Sequence, residues 1–206
     1  MRRSKKRDQL IESALQLFYK QGFHATGVDQ IISDAGVARM TFYKHFPSKH
    51  DLIIATLNRR DEKFRGWLLG FIAGYDSAWA QLLGMFDALD LWFRGKAFSE
   101  QQFSGCMFIN AAAEFSDLNL EAHKVAARHK ALLREKFVSI VEAAGFLEPE
   151  ELASQILLLK EGAIVTAQVS GDLKAAMRAK KVAEVLLCTA EQRAESKAEQ
   201  RAEQGK

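Results

Sequence analysis

Apolar residues recur along this chain at three- and four-residue spacing, and no sustained apolar-polar alternation interrupts them. Leu10, Ile11, Ala14, Leu15 and Phe18 form one stripe, which predicts a helix from about Ser4 to Gln21. Gly22 stops it, and Phe23 is placed to fold back on it. Val28, Ile31 and Ile32 make a short second face, and Phe42 and Phe46 a third. Between these, Ala35-Gly36-Val37 predicts a tight turn in which Gly36 is free to take a positive φ. Pro47 stops the third segment, and Ser48 with Asp51 predicts a capped start for a long helix reaching about Gly74. Its apolar side is Leu52, Ile53, Leu57, Phe64, Trp67, Leu68 and Phe71. Further helices are predicted from Asp76 or Ser77 to Gly95, from Ser104 to Phe115, and from Asn119 to Ala144. The last two are predicted from Pro149 to Ser170 and from Asp172 to Thr189. The expected fold class is all-α, with an N-terminal three-helix unit at 1–50 and a larger helical domain at 51–189. The tail at 190–206 has no apolar face and is expected to fray.

Two short helices around a glycine turn, with an apolar floor and a basic, hydroxyl-bearing outer face, are the parts of a helix-turn-helix. Arg39, Met40 and Lys44 are expected on the groove-facing side of its second helix, since Arg and Lys are the usual readers of guanine edges. Thr41 and Tyr43 carry hydroxyls suited to phosphate oxygens, and His45 and Lys49 could add charge-assisted contacts. Thr26, just before the first short helix, joins this set of candidate DNA contacts. Phe42 and Phe46 are expected to be core.

The segment from about Leu10 to Leu57 resembles the N-terminal domain of the TetR/AcrR family of bacterial transcriptional regulators. The matching residues are Leu17-Phe18, Gly22-Phe23, Ala25-Thr26, Val28, Ile31, Ala35-Gly36-Val37, Thr41-Phe42-Tyr43, His45-Phe46 and Ser48-Lys49. Ala38 stands where the family usually has a Ser or Thr cap, and Met40 where it usually has a small residue. The resemblance implies a larger domain for ligand binding and dimerisation, and no enzymatic activity. It also implies a homodimer through the last two long helices and double-stranded operator DNA as partner. A small-molecule effector, apolar or aromatic, would tilt the long shared helix and release the DNA.

Charge agrees with a nucleic-acid-binding head. The net charge of +3 hides an asymmetry: residues 1–60 hold 11 Lys/Arg and 5 Asp/Glu, leaving 18 and 21 for the rest. That is 11 − 5 = +6 against 18 − 21 = −3. The cluster Arg2, Arg3, Lys5, Lys6 and Arg7 suits an arm reaching toward DNA. Asp8, Gln9 and Glu12 follow where an export signal needs an apolar run, so the expected location is the cytoplasm. Charges interrupt the longest apolar stretches short of membrane-spanning length, so no membrane partner is expected.

The candidate effector residues are Phe64, Trp67, Trp79, Trp92, Cys106, Phe108 and Asn110, the aromatics as cavity walls and Asn110 as a polar contact. Gly105-Cys106 followed by Asn110 and Glu114 resembles a TetR subgroup in which some members sense electrophiles or oxidants through the cysteine. An inert, packed thiol is the competing use of Cys106. His123 and His129 lack ligand partners at metal spacing, so no metal and no cofactor are expected. No nucleophile-base-acid arrangement or glycine-rich phosphate loop supports an enzyme. The alternative function is a helical ligand-binding or protein-binding module without DNA binding.

Overall fold

The computed structural model describes residues 4–98 and 102–204, and the described residues are helical, without strands. The helices are α1 (Lys5–Gln21), α2 (Val28–Asp34), α3 (Arg39–His45), α4 (Lys49–Ile72), α5 (Ala78–Phe93), α6 (Met107–Glu114), α7 (Glu121–Ala143), α8 (Pro149–Ser170) and α9 (Ala175–Gln204). The chain forms two compact units: Met1–Arg65 with Ser104–Lys130, and Gly66–Phe103 with Ala131–Lys206. The first therefore holds α1 to α3, most of α4, all of α6 and the first part of α7. This differs from a head ending near residue 50. Contacts of α4 and of the α6 segment with the region of α1, far apart in sequence, accompany this larger unit.

In the first unit Leu10, Ile11, Ala14, Leu15 and Phe18 are buried along the expected stripe of α1. Gly22 ends the helix at φ 89, and the Phe23 ring returns to within 5.2 Å of Phe18. Ile31, Phe42 and Phe46 close the small core against α1. Arg59 of α4 bonds Asp8 at 2.6 Å and Glu12 at 2.8 Å, and Lys63 reaches Glu12 at 2.5 Å. These pairs join α4 to α1. Arg2 and Arg3 of the expected basic arm lie outside the described residues.

In the second unit α8 packs along α9, and both pack on α5. The Ser77 side chain caps α5 by accepting the Ala80 N–H at 3.1 Å. Lys180 of α9 bonds both Asp87 carboxylate oxygens of α5 at 2.8 Å, and the Tyr75 hydroxyl donates to the same carboxylate at 2.9 Å. Gly84 is required beside that ring, because a Cβ there would lie 2.5 Å from a Tyr75 carbon. α9 continues to Gln204, where the polar composition leads to an expectation of fraying. Ala, Glu, Gln, Lys and Arg are strong helix formers, and that propensity extends α9 without an apolar face.

As expected, charges interrupt the apolar run of α8, at Lys160 and Glu161. Its 22 residues are long and apolar enough to cross a membrane by length and composition. One side of the helix, Leu152, Ala153, Ile156, Ala163, Ile164 and Ala167, is buried in the protein.

Candidate nucleic-acid interface

The turn between α2 and α3 sets the outer face of the first unit. Gly36 takes φ 59, and the chain re-enters a helix at Arg39 with Ala38 at the cap position. An alanine there contributes no side-chain cap, so α3 starts with its first N–H groups uncapped by the Ala38 side chain. Phe42 and Phe46 are buried, which fixes which side of α3 faces out. Met40 is 86% exposed and Tyr43 49%, and Arg39 and Lys44 are exposed beside them. Thr41 is half-buried. The Tyr43 ring stands edge-on to Phe42 at 5.1 Å, so the floor of the motif orients it.

Three candidates are held by neighbours. His45 Nε2 lies 3.4 Å from Ser4 Oγ, so Ser4 meets α3 instead of capping α1 with its side chain. Lys49 donates to the His24 carbonyl at 3.3 Å, and burial lowers its pKa against the opposing pull of Glu114. Arg39 pairs with Asp29 of α2. Thr26 differs from expectation: it is 0% exposed, and its hydroxyl donates to the Gly22 carbonyl at 2.8 Å. Its side chain shapes the bend before α2 and does not reach the surface. At the start of α4, Ser48 Oγ accepts the Asp51 N–H at 3.2 Å and donates to the Asp51 carboxylate at 2.6 Å. The expected cap is thus formed.

Both ends of α6 are tied to the region of α1, a feature that sequence reasoning missed. At its start, the Tyr19 hydroxyl donates to the Gly105 carbonyl at 2.8 Å and accepts the Ser104 N–H at 3.0 Å. At its end, Glu114 accepts the backbone N–H groups of Phe23 at 2.9 Å and His24 at 2.7 Å, and pairs with His24 Nδ1 at 2.8 Å. Burial alone would raise the Glu114 pKa, but these hydrogen bonds and the His24 charge hold it below the ordinary value. Phe115 adds ring contacts to Phe23, His24 and His50 at 5.6, 5.0 and 6.4 Å.

Deeper in this unit, His129 Nδ1 bonds Asp61 at 2.7 Å, and Arg65 bonds the same carboxylate at 2.6 and 2.7 Å. Burial would raise the Asp61 pKa, yet the His129 and Arg65 hydrogen bonds and charges hold it well below the usual carboxylate range. The His129 ring stacks on Phe108 at 3.7 Å. His129 thus serves a buried polar contact between α4 and α7, a role its sequence position alone did not reveal.

Helix-turn-helix geometry with an exposed basic second helix is the observation that decides the comparison with known proteins. Residues 10–56 match the model for bacterial regulatory proteins of the tetR family, and residues 78–183 match the tetracyclin repressor-like C-terminal domain. The chain belongs to the TetR family. Regulators of this family are helix-turn-helix DNA-binding proteins, not enzymes.

Among similar proteins, the transcriptional activator FasR of Mycolicibacterium smegmatis is 42% identical over 57 residues, covering 28% of this chain and 26% of FasR. The regulator TcmR of Streptomyces glaucescens is 43% identical over 58 residues, again 28% of this chain and 26% of TcmR. The chain therefore matches about a quarter of the length of these curated relatives. A crystal structure of a TetR-family regulator from Streptomyces coelicolor superposes with TM-score 0.81 at 25% identity, covering 90% of this chain and 95% of that one.

The candidate effector residues of this TetR-family chain fall in both units. Phe64, Cys106, Phe108 and Asn110 belong to the first. Cys106 is the cap residue of α6 and is 4% exposed. The Lys130 ammonium lies 3.6 Å from its sulfur. Asn110 donates its backbone N–H to the Cys106 carbonyl at 3.0 Å, one turn on. Trp67, Trp79 and Trp92 belong to the second unit. Trp67 lies against Phe98 and Phe71, and Trp92 against Phe93 and Phe103. Trp79 meets Phe146 at 5.8 Å and lines a cleft of about 330 Å³ at the start of α5.

Proposed function

We propose that this chain is a homodimeric, ligand-responsive repressor that binds palindromic operator DNA and is released by a small apolar or aromatic effector. The observation that carries the reading is the outer face of α3. Arg39, Met40, Tyr43 and Lys44 are exposed while Phe42 and Phe46 are buried, so the helix presents its basic side outward from a rigid floor. Arg39 and Lys44 read base edges in the major groove, and Tyr43 and Lys49 position the head on phosphates. The capped start of α4 offers backbone N–H groups for a further phosphate. Such a protein acts where the chromosome is, in the cytoplasm.

A single seven-residue recognition helix carries little sequence information, and a dimer doubles it. Support for dimerisation through α8 and α9 comes from their uncovered apolar face. Leu158, Val165 and Val169 of α8 and Met177, Val182 and Val185 of α9 are exposed. Gly162 lies between Leu158 and Val165 at helical spacing, and a Cβ there would meet nothing within 4 Å. Two copies of this face make a four-helix bundle.

The effector acts through Cys106, Phe108 and Asn110, with the contacts that Tyr19 makes before α6 and Glu114 makes at its end carrying the signal to the head. Electrophiles and oxidants are the effector class that the Cys106 thiol beside Lys130 suits. The test is a gel-shift at low salt with the DNA upstream of the chain's own gene. A retarded band that disappears on adding an electrophile supports the reading, and no binding by correctly folded dimer refutes it.

A further inference from the structure

The pair between Arg39, first residue of α3, and Asp29, second residue of α2, is not explained by stability. Both side chains are largely exposed, 63% and 76%, and exposed ion pairs contribute little to folding. Asp29 has a bland use as the acidic residue in the first turn of α2, where Gly27 offers no side-chain cap. That use does not require a partner on α3. Yet the bond runs from a guanidinium Nη2 on the recognition helix to a carboxylate oxygen on the preceding one.

A carboxylate beside DNA is repelled by phosphate, so its presence on this face calls for a compensating role. Arginine carries five N–H donors in a planar fork, and one bond from Nη2 leaves the others available. Guanine offers N7 and O6 to such a fork in the major groove. A free arginine on its long stem samples many rotamers and settles readily on phosphate. An arginine held at one nitrogen presents its remaining donors in one direction, with less entropy to lose on docking.

The geometry points to Asp29 as a positioning residue that sets the base selectivity of Arg39. It aims the guanidinium at a base edge, and its charge penalises any docking in which that arginine makes no specific contact. This rests on the reading of α3 as the groove-entering helix. Asp29 touches no base itself. It acts through Arg39, and it raises selectivity by weakening binding to wrong sequences as much as by helping the right one.

The test uses full-length protein and a duplex recovered by the wild type from a random-sequence library. Affinities of wild type, Asp29→Ala, Asp29→Asn, Arg39→Ala and the Asp29→Ala/Arg39→Ala double variant are measured for that duplex, its single base-pair variants and a scrambled duplex. Asp29→Ala is expected to bind the scrambled duplex more tightly and to lose roughly tenfold discrimination at the base pair read by Arg39. Asp29→Asn, which keeps an acceptor, is expected to fall between, and the double variant to match Arg39→Ala. Unchanged discrimination in Asp29→Ala overturns the proposal, as does an equal loss in the Arg39→Ala background. A lower melting temperature with intact selectivity also overturns it and leaves Asp29 as a helix-start residue. If the wild type recovers no preferred sequence, or Arg39→Ala alters no preference, the underlying reading of α3 fails and takes this inference with it.

Discussion

The Glu114 carboxylate accepts the backbone N–H of Phe23 at 2.9 Å across 91 residues of chain. One side chain at the end of α6 thereby holds the bend between α1 and α2, the bend from which the recognition helix is hung. Removing it leaves the part-buried Phe23 N–H without its acceptor and gives the exposed His24 N–H back to water. Glu114→Ala is expected to destabilise the first unit by about 2 kcal/mol in chemical denaturation. Glu114→Gln, which keeps one acceptor, should lose less. If α6 carries the effector signal, Glu114→Ala should also bind DNA yet respond poorly to effector in a gel-shift.

Acid should dissolve this contact and the Asp61 cluster together. Both carboxyls have folded-state pKa values below their ordinary ones. Their stabilisation is therefore fully present above the ordinary carboxylate values, about 4, and is lost as pH falls through the lower folded values. Denaturation midpoints should stay level on this account from pH 7 to about 5 and fall below about 4. Replacing Glu114 with Gln should flatten part of that fall.

Cys106→Ser is expected to leave DNA binding intact and abolish release by electrophiles. Cys106 is buried and Cys188 exposed, so a bulky thiol reagent should modify Cys188 first. Mass spectrometry of the labelled chain reads the order. A Cys106→Ser protein released as readily as the wild type returns that thiol to a packing role.

The uncovered face of α8 and α9 predicts the outcome of a charge insertion. Val169→Glu or Leu158→Arg is expected to give monomers in sedimentation velocity, with the helical circular dichroism retained. Both positions are exposed in the single chain, so folding of the protomer should be little affected. Loss of the dimer should weaken operator binding steeply, because each head alone reads few base pairs.

Much of this was legible in the sequence, and unevenly so. The helices followed from spacing because stripes such as Leu10-Ile11-Ala14-Leu15-Phe18 are local, and Pro149–Ser170 was bounded by its proline and Gly171. The floor of the helix-turn-helix was equally plain, since Phe42 and Phe46 are four apart. Contacts between distant segments were not. Nothing near Glu114 announces Phe23, and nothing near His129 announces Asp61, because such pairings depend on how helices pack. Thr26 shows the opposite failure: a hydroxyl beside a binding motif invited a contact role, while its bond to Gly22 turned it inward. The tail after Ala190 has no apolar face, yet it is helical to Gln204, as its strong helix formers favour.

The central claim is that two copies of α3 enter successive major grooves. Hydroxyl-radical footprinting of the chain on its upstream DNA tests it most directly. The expected pattern is two protected patches with two-fold symmetry, centred about one helical turn, roughly 34 Å, apart. Protection should vanish with Arg39→Ala/Lys44→Ala. A single unpaired patch, or unchanged protection in that double variant, would contradict the account.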